Sequence, residues 1–304
     1  MLRKNRVFGP RDRRVSVATL PWPIVSITGM GAHFTPASIF LQFGGALFQC
    51  RTKFAFHSCC GSWGRAGKIR GRASSSFFRT MTALLTCVEL ETGAHPDASV
   101  VWLHGLGADG NDFVPIVEEM KLPQTLSIRF VFPHAPVRPV TINNGIPMRA
   151  WYDIYAADLA NRADVHGVAR SQQQVEALIA REKTRGVAAA RIMVAGFSQG
   201  GAIALHTGLR HAERLGGIVG LSTYLPMADR LPAEAAAANR DLPIFMAHGT
   251  MDQVIRPEWG EASRRALVAA GYAVEWHTYP MQHSVVWEEI EAVRAFLTRI
   301  LALG

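Results

Sequence analysis

The chain predicts an α/β architecture, a mostly parallel central sheet flanked by helices on both faces, on three observations. From Met81 onward, short apolar runs rich in β-type residues alternate with segments of helical periodicity. Several of those runs are apolar throughout, as strands buried on both faces must be. A serine between glycines, in Gly196-Phe197-Ser198-Gln199-Gly200, stands where a strand pattern passes into a helix pattern.

The strand candidates are residues 84–89, 99–103, 129–132, 191–195, 217–221, 243–247 and 273–279. In the last helix, 286–300, the face is set by Val286, Ile290, Val293, Leu297 and Ile300, which recur at steps of four and three. A second helix is expected over 168–185, with Val175, Leu178 and Ile179 inward and Gln172, Gln173, Gln174, Arg181 and Glu182 facing water. Between Pro136 and Val168 the chain makes an excursion much longer than an ordinary strand-to-helix connection, a length that usually signals function.

Charge divides the chain in two. Residues 1–80 carry thirteen Lys/Arg against one acid, Asp12, a net of +12, whereas 81–304 carry nineteen Lys/Arg against twenty-three Asp/Glu, a net of −4. The basic overall charge therefore belongs to a leader, and the mildly acidic body gives no support to nucleic-acid binding. The leader shows no α/β patterning and is read as disordered or as upstream sequence ahead of a true start at Met81, with an organellar transit peptide as the alternative. Pro21 and Pro23 break the apolar stretch that a secretory signal needs, and no run is long enough for stable membrane insertion. Cys87 is the only cysteine of the body, so a disulfide framework is excluded there and a reducing compartment is expected.

The Gly-x-Ser-x-Gly segment, preceded by a strand and followed by a helix, has the context of a nucleophile elbow, which makes the expected architecture an α/β-hydrolase fold. Glycines two residues either side of Ser198 remove side chains that would collide in so sharp a turn. The competing reading, a nucleotide-binding turn, lacks a G-x-G-x-x-G or Walker pattern. The order Ser, acid, His required by this fold leaves two candidate bases after Ser198. His277 falls inside a strand pattern, whereas His283 follows it on a loop at the carboxyl edge of the sheet, where catalysis belongs. Asp252, on the loop after strand 243–247, is the acid placed to orient His283. The oxyanion hole calls for two backbone N–H groups, from Gln199 and from Leu106 in the loop His104-Gly105-Leu106-Gly107.

With these residues in order, 81–304 resembles the acyl-protein thioesterase and phospholipase/carboxylesterase family. The resemblance is carried by Leu103-His104-Gly105-Leu106-Gly107, Phe132-Pro133-His134-Ala135-Pro136, Trp151-Tyr152-Asp153, Gly196-Phe197-Ser198-Gln199-Gly200-Gly201, His248-Gly249-Thr250-Met251-Asp252 and His283. It implies hydrolysis of carboxylic esters or thioesters, no cofactor, a cytoplasmic location and a possible homodimer. It also implies the triad Ser198, Asp252 and His283, with Leu106 and Gln199 as oxyanion donors.

For the substrate, the expectation is a small carboxylic ester or thioester. The alternative is a lysophospholipase or acyl-protein thioesterase, and a non-catalytic ligand-binding member of the fold is the rival from another class. Met148, Trp151 and Ile154 are candidates to line the acyl pocket, with plain packing an equal alternative for Trp151; Arg149 and Asp153 are read as holding the excursion in shape. The other histidines have no metal-ligand spacing, so no metal is expected, and His104 and His248 are assigned hydrogen-bonded roles beneath the site. Cys87 is read as an inert thiol.

Overall fold

The computed structural model describes residues 84–156 and 164–302; the leader, and the readings placed on it, lie outside the described residues. In chain order the elements are β1 (Cys87–Glu91), β2 (Ala98–Leu103), α1 (Val114–Glu119), β3 (Ile128–Pro133), β4 (Val137–Val140), β5 (Ile146–Arg149), α2 (Val165–Thr184), β6 (Ile192–Phe197), α3 (Gln199–Arg210), β7 (Gly217–Leu221), α4 (Leu231–Glu234), β8 (Ile244–Gly249), α5 (Pro257–Ala269), β9 (Val274–Tyr279) and α6 (Trp287–Leu301). Each of the seven strands expected from sequence is present.

The seven form one sheet in the order β1-β3-β2-β6-β7-β8-β9. Only β1 runs antiparallel to its neighbour; the other pairs are parallel. After β2 the chain moves outward to β3 and then returns across the sheet to β6. The carboxyl ends of β2 and β6, where Leu103 pairs with Gly196, therefore flank the point at which the strand order reverses. In open α/β sheets that crevice is where ligands bind.

Each face of the sheet has its own core. Val101 and Leu103 of β2 join residues of α2, α3 and α5, including Leu178, Ile203 and Leu267, while Val100 and Trp102 join Ile116 of α1 and Ile290, Val293 and Leu297 of α6. The alternation follows from the two-residue period of a strand. The α2 residues Val175, Leu178 and Ile179 are buried as their spacing requires, and Asp164 caps the helix by accepting from Gly167 N–H at 2.8 Å. Among the described residues no helix is long and apolar enough to cross a membrane.

One acidic residue departs from the sequence reading. Glu182, expected to face water, is completely buried. The last turn of α2 lies over the starts of β2 and β3, where Arg129 (2.9 Å) and Arg181 (3.0 Å) pair with the carboxylate and Ser99 Oγ donates to it at 3.3 Å. These donors offset the cost of burying the charge. On α6, Ile290, Val293 and Leu297 are buried, but Val286 precedes the helix and Ile300 is half-buried; Phe296, Leu301 and Glu289 complete the covered face. Neither oxygen of Glu289 has a hydrogen-bond partner among the described residues. Burial, offset only in part by the Val286 backbone, pushes its pKa up to about 8 from an ordinary 4.5.

The excursion after Pro136 is no featureless loop. It folds as a β4–β5 hairpin in which Pro139 opposes Pro147, closed by a 3-10 turn over Thr141–Asn143. Asp153 accepts from the backbone and hydroxyl of Thr141 at 2.7 and 2.5 Å, which ties the hairpin tip to its base and gives Asp153 the shape-holding role expected of it. Cys87 is half-buried on β1, and burial raises its thiol pKa, which disfavours the reactive thiolate.

Glu289 makes stability depend on pH in a direction opposite to most carboxyls. Its folded pKa is raised, so its contribution is fully present below pH 4.5 and is lost progressively as pH rises to about 8. Replacing it by the neutral, near-isosteric amide in Glu289→Gln should remove that slope. Urea unfolding at pH 5 and pH 8.5 should show wild type losing on the order of a few kcal/mol more than the variant across this interval; equal pH dependence in the two proteins would refute the assignment.

Candidate active site

The site is assembled from three carboxyl ends of the sheet. Ser198 joins β6 to α3 with φ 54° and ψ −120°, a conformation that costs an L-residue about 1–3 kcal/mol. It is held on both sides: Ser198 N–H donates to Leu221 O at 2.9 Å, and Ser198 O accepts from Thr223 Oγ1 at 2.7 Å and from Ala202 N–H at 3.1 Å. The glycines are sterically required. A Cβ on Gly196 would stand 2.4 Å from the Gly200 carbonyl carbon, and one on Gly200 would stand 2.3 Å from Leu103 O.

His283 lies on the loop between β9 and α6. Its Nε2 is 2.9 Å from Ser198 Oγ and its Nδ1 is 2.7 Å from Asp252 Oδ2. Asp252, on the loop after β8, uses its other oxygen to accept from the N–H groups of Val254 (2.8 Å) and Ile255 (2.9 Å). Hydroxyl, imidazole and carboxylate thus form one continuous relay, with Phe197 packed on the imidazole at a centroid distance of 4.7 Å. The rejected base, His277, is occupied elsewhere: it stacks on Phe245 and bonds Glu275 at 3.1 Å.

Gln199 is the first residue of α3, so its N–H has no partner within the helix. Its side chain clamps the base of the hairpin: Oε1 accepts from Trp151 N–H and Nε2 donates to Tyr152 O, both at 2.8 Å. The loop after β2 comes up against the nucleophile, since a Cβ on Gly105 would lie 3.5 Å from Ser198 Cβ. In that loop Gly107 N–H donates to Arg149 O at 2.9 Å and Ala108 N–H to Gly105 O at 3.3 Å. Leu106 N–H has no partner among the described residues.

The three pocket candidates do not share one environment. Trp151 is completely buried, with its indole N–H donated to His104 O at 2.9 Å and its backbone N–H to Gln199. These contacts are those of a packed side chain, one of the two alternatives held for it. Met148, half-buried on β5, has its sulfur 3.2 Å from Asn143 Nδ2, and half-buried Ile154 accepts from Ile142 N–H at 2.8 Å through its carbonyl. Arg149 reaches Ala135 O at 2.9 Å, a shape-holding contact. An open groove of about 640 Å³ runs beside Asp252, lined by Thr250, Met251, Gln253, Arg256 and Gln282.

His248 sits behind the acid, donating from Nε2 to Ile255 O at 2.8 Å and lying 3.5 Å from Asp252 Oδ2; burial lowers its pKa. His104 uses both ring nitrogens in hydrogen bonds beneath the site. Among the described residues no group of three or more His, Cys, Asp or Glu is arranged to hold a metal ion.

The phospholipase/carboxylesterase family model matches residues 86–301. Acyl-protein thioesterase 1 of Yarrowia lipolytica is 41% identical over 215 residues, covering 69% of this chain and 95% of that protein. The protein of the same name from Neurospora crassa is 40% identical over 219 residues, covering 68% and 89%. The crystal structure of Zea mays acyl-protein thioesterase 2 superposes with a TM-score of 0.63 at 31% identity, covering 71% of this chain and 99% of that one. With its sheet and strand-to-helix elbow, the chain belongs to the phospholipase/carboxylesterase family and is a carboxylic ester hydrolase.

Proposed function

We propose that this protein is an acyl thioesterase that removes long acyl chains from acylated proteins, with Ser198 as nucleophile, His283 as general base and acid, and Asp252 as the orienting carboxylate. The observation that carries the chemistry is the relay from Asp252 through His283 to Ser198, at 2.7 and 2.9 Å. The substrate class draws on the relatives: two acyl-protein thioesterases are about two fifths identical to it over an alignment that spans nearly their whole length. They favour this substrate over the small ester that was the first expectation from sequence.

In the proposed reaction Ser198 Oγ attacks the acyl carbonyl while His283 Nε2 takes the hydroxyl proton, and Asp252 accepts the Nδ1–H of the resulting imidazolium. The tetrahedral oxyanion is held by the N–H groups of Leu106 and Gln199. As it collapses, His283 protonates the departing thiolate, leaving the acyl group on Ser198. A water, deprotonated by His283, then attacks the acyl-enzyme and the fatty acid leaves as Ser198 recovers its proton. The first partial positive charge of α3, at Gln199, also favours the developing anion.

Three measurements test this reading. Ser198→Ala should lower turnover on the order of a millionfold and abolish labelling by a fluorophosphonate probe; near-normal turnover or undiminished labelling would remove Ser198 from the mechanism. In Asp252→Asn the imidazole loses its acceptor and the tautomer it enforces, so kcat should fall on the order of ten-thousandfold, the scale seen for triads of this kind. Across acyl thioesters from two to sixteen carbons, kcat/KM should rise with chain length, and an S-palmitoylated peptide should release its thiol. A maximum at two to four carbons, with the peptide untouched, would favour the small-ester carboxylesterase instead.

A further inference from the structure

We propose that His104 is the positioning residue of the oxyanion hole: its neutral imidazole holds the Gly105 carbonyl and thereby aims Leu106 N–H at the acyl oxygen on Ser198. The inference rests on the proposed function, since it needs Ser198 as the nucleophile.

The tautomer follows from the partners. Ala135 N–H donates to His104 Nε2 at 3.1 Å, so that nitrogen carries a lone pair and the ring proton sits on Nδ1. Nδ1–H therefore donates to Gly105 O, at 2.7 Å. Ala108 N–H reaches the same carbonyl from the other side at 3.3 Å. No cis peptide occurs among the described residues, and in a trans peptide the carbonyl and the following N–H point in opposite directions. Drawing Gly105 O toward the buried imidazole therefore turns Leu106 N–H away from it. Gly105 itself lies against Phe197 and Ser198: a Cβ there would stand 3.2 Å from Phe197 Cδ1 and 3.5 Å from Ser198 Cβ. Leu106 N–H has no partner among the described residues, as a group waiting for an oxyanion should.

The imidazole is fixed in this state by its surroundings. His104 is 2% exposed, and burial holds its pKa down to about 4, so it stays neutral through the physiological range. Its carbonyl accepts the indole N–H of Trp151, whose backbone N–H is held by Gln199, the residue assigned the second oxyanion donor. The ring's acceptor side is held by Ala135, whose carbonyl is in turn held by Arg149, and the carbonyl of Arg149 takes Gly107 N–H. Two hydrogen-bonded paths thus run from the hairpin base to the loop, and both end at His104 or its neighbours.

Two substitutions separate positioning from packing. In His104→Asn the side-chain amide nitrogen overlays Nδ1 and keeps a donor for Gly105 O, whereas His104→Leu keeps bulk and loses the donor. The His104→Leu variant should lose kcat by roughly a hundredfold to a thousandfold, the cost of one oxyanion donor, with KM changed by less than about threefold. Its affinity for an alkyl trifluoromethyl ketone, which forms a charged tetrahedral adduct, should fall in parallel. The His104→Asn variant should recover at least about tenfold in kcat over His104→Leu, although it leaves Ala135 N–H without an acceptor. Equal losses in the two variants, or an unchanged kcat in His104→Leu, would overturn the proposal.

Should His104→Leu fail to fold, as a thermal melt would report, the ¹⁵N spectrum of the wild-type histidines decides. His104 should carry its proton on Nδ1 at neutral pH, and a proton on Nε2 would overturn the proposal. Ser198→Ala keeps the two readings apart. An active Ser198→Ala enzyme sinks the proposed function itself, whereas an inactive one beside a normal His104→Leu variant sinks only the role of His104.

Discussion

The site depends on one backbone constraint, the strained turn at Ser198. A residue at φ 54° and ψ −120° stays there only if its surroundings leave no cheaper alternative. Here they are β7 and the loop after it, which supply Leu221 O and Thr223 Oγ1, and α3, which must start within one residue of the end of β6. That immediate start forces α3 flat against the sheet, and every residue from Gln199 to Leu209 is buried. Glycine at 196, 200 and 201 is the steric consequence, because a Cβ would meet the first turn of α3 at 196, Leu103 O at 200 and the Thr223 side chain at 201.

The same close approach explains segments of the family resemblance that hold no member of the triad. Phe132-Pro133-His134-Ala135-Pro136 and Trp151-Tyr152-Asp153 lie far from Ser198 in sequence, yet their backbones converge on the loop after β2. Ala135 N–H meets His104, Trp151 Nε1 meets His104 O, and His134 Nδ1 accepts Gly110 N–H at 3.0 Å. A loop exposed to substrate on one side needs its backbone groups satisfied from the other. These two segments supply that second side, which makes them as necessary to the geometry as the reacting groups.

The proposed catalytic groups are legible in the sequence because each combines an uncommon residue type with a strand-end position. Ser198, Asp252 and His283 could be chosen by order and by loop placement, and they meet in space. What was illegible has physical causes. Helix α5 went unread because two of its buried positions, Gly260 and Ser263, are not apolar; Gly260 passes over His248, where a Cβ would stand 2.4 Å from Nδ1. The β4–β5 hairpin was hidden by its prolines, which remove ladder donors and argue against strand. Glu182 was misread because helical periodicity knows nothing of Arg129, which reaches it from β3. Trp151 could not be decided between pocket and packing, because its partners Gln199 and His104 O lie forty-seven or more residues away.

Two of the buried carboxyls show that partners, not burial alone, decide where a charge is kept. Asp252 is 3% exposed and Glu289 is fully buried, so burial alone does not separate them. Their partners do. Asp252 accepts two backbone N–H groups and faces His283, whereas neither oxygen of Glu289 has a donor among the described residues. In a medium of low dielectric an unpaired carboxylate is costly, so Glu289 is pushed toward the neutral acid. His104 is driven the same way, to the neutral ring, by burial. In the proposed mechanism the imidazolium formed at His283 faces the Asp252 carboxylate across 2.7 Å, and that carboxylate is itself held in place by two backbone N–H groups.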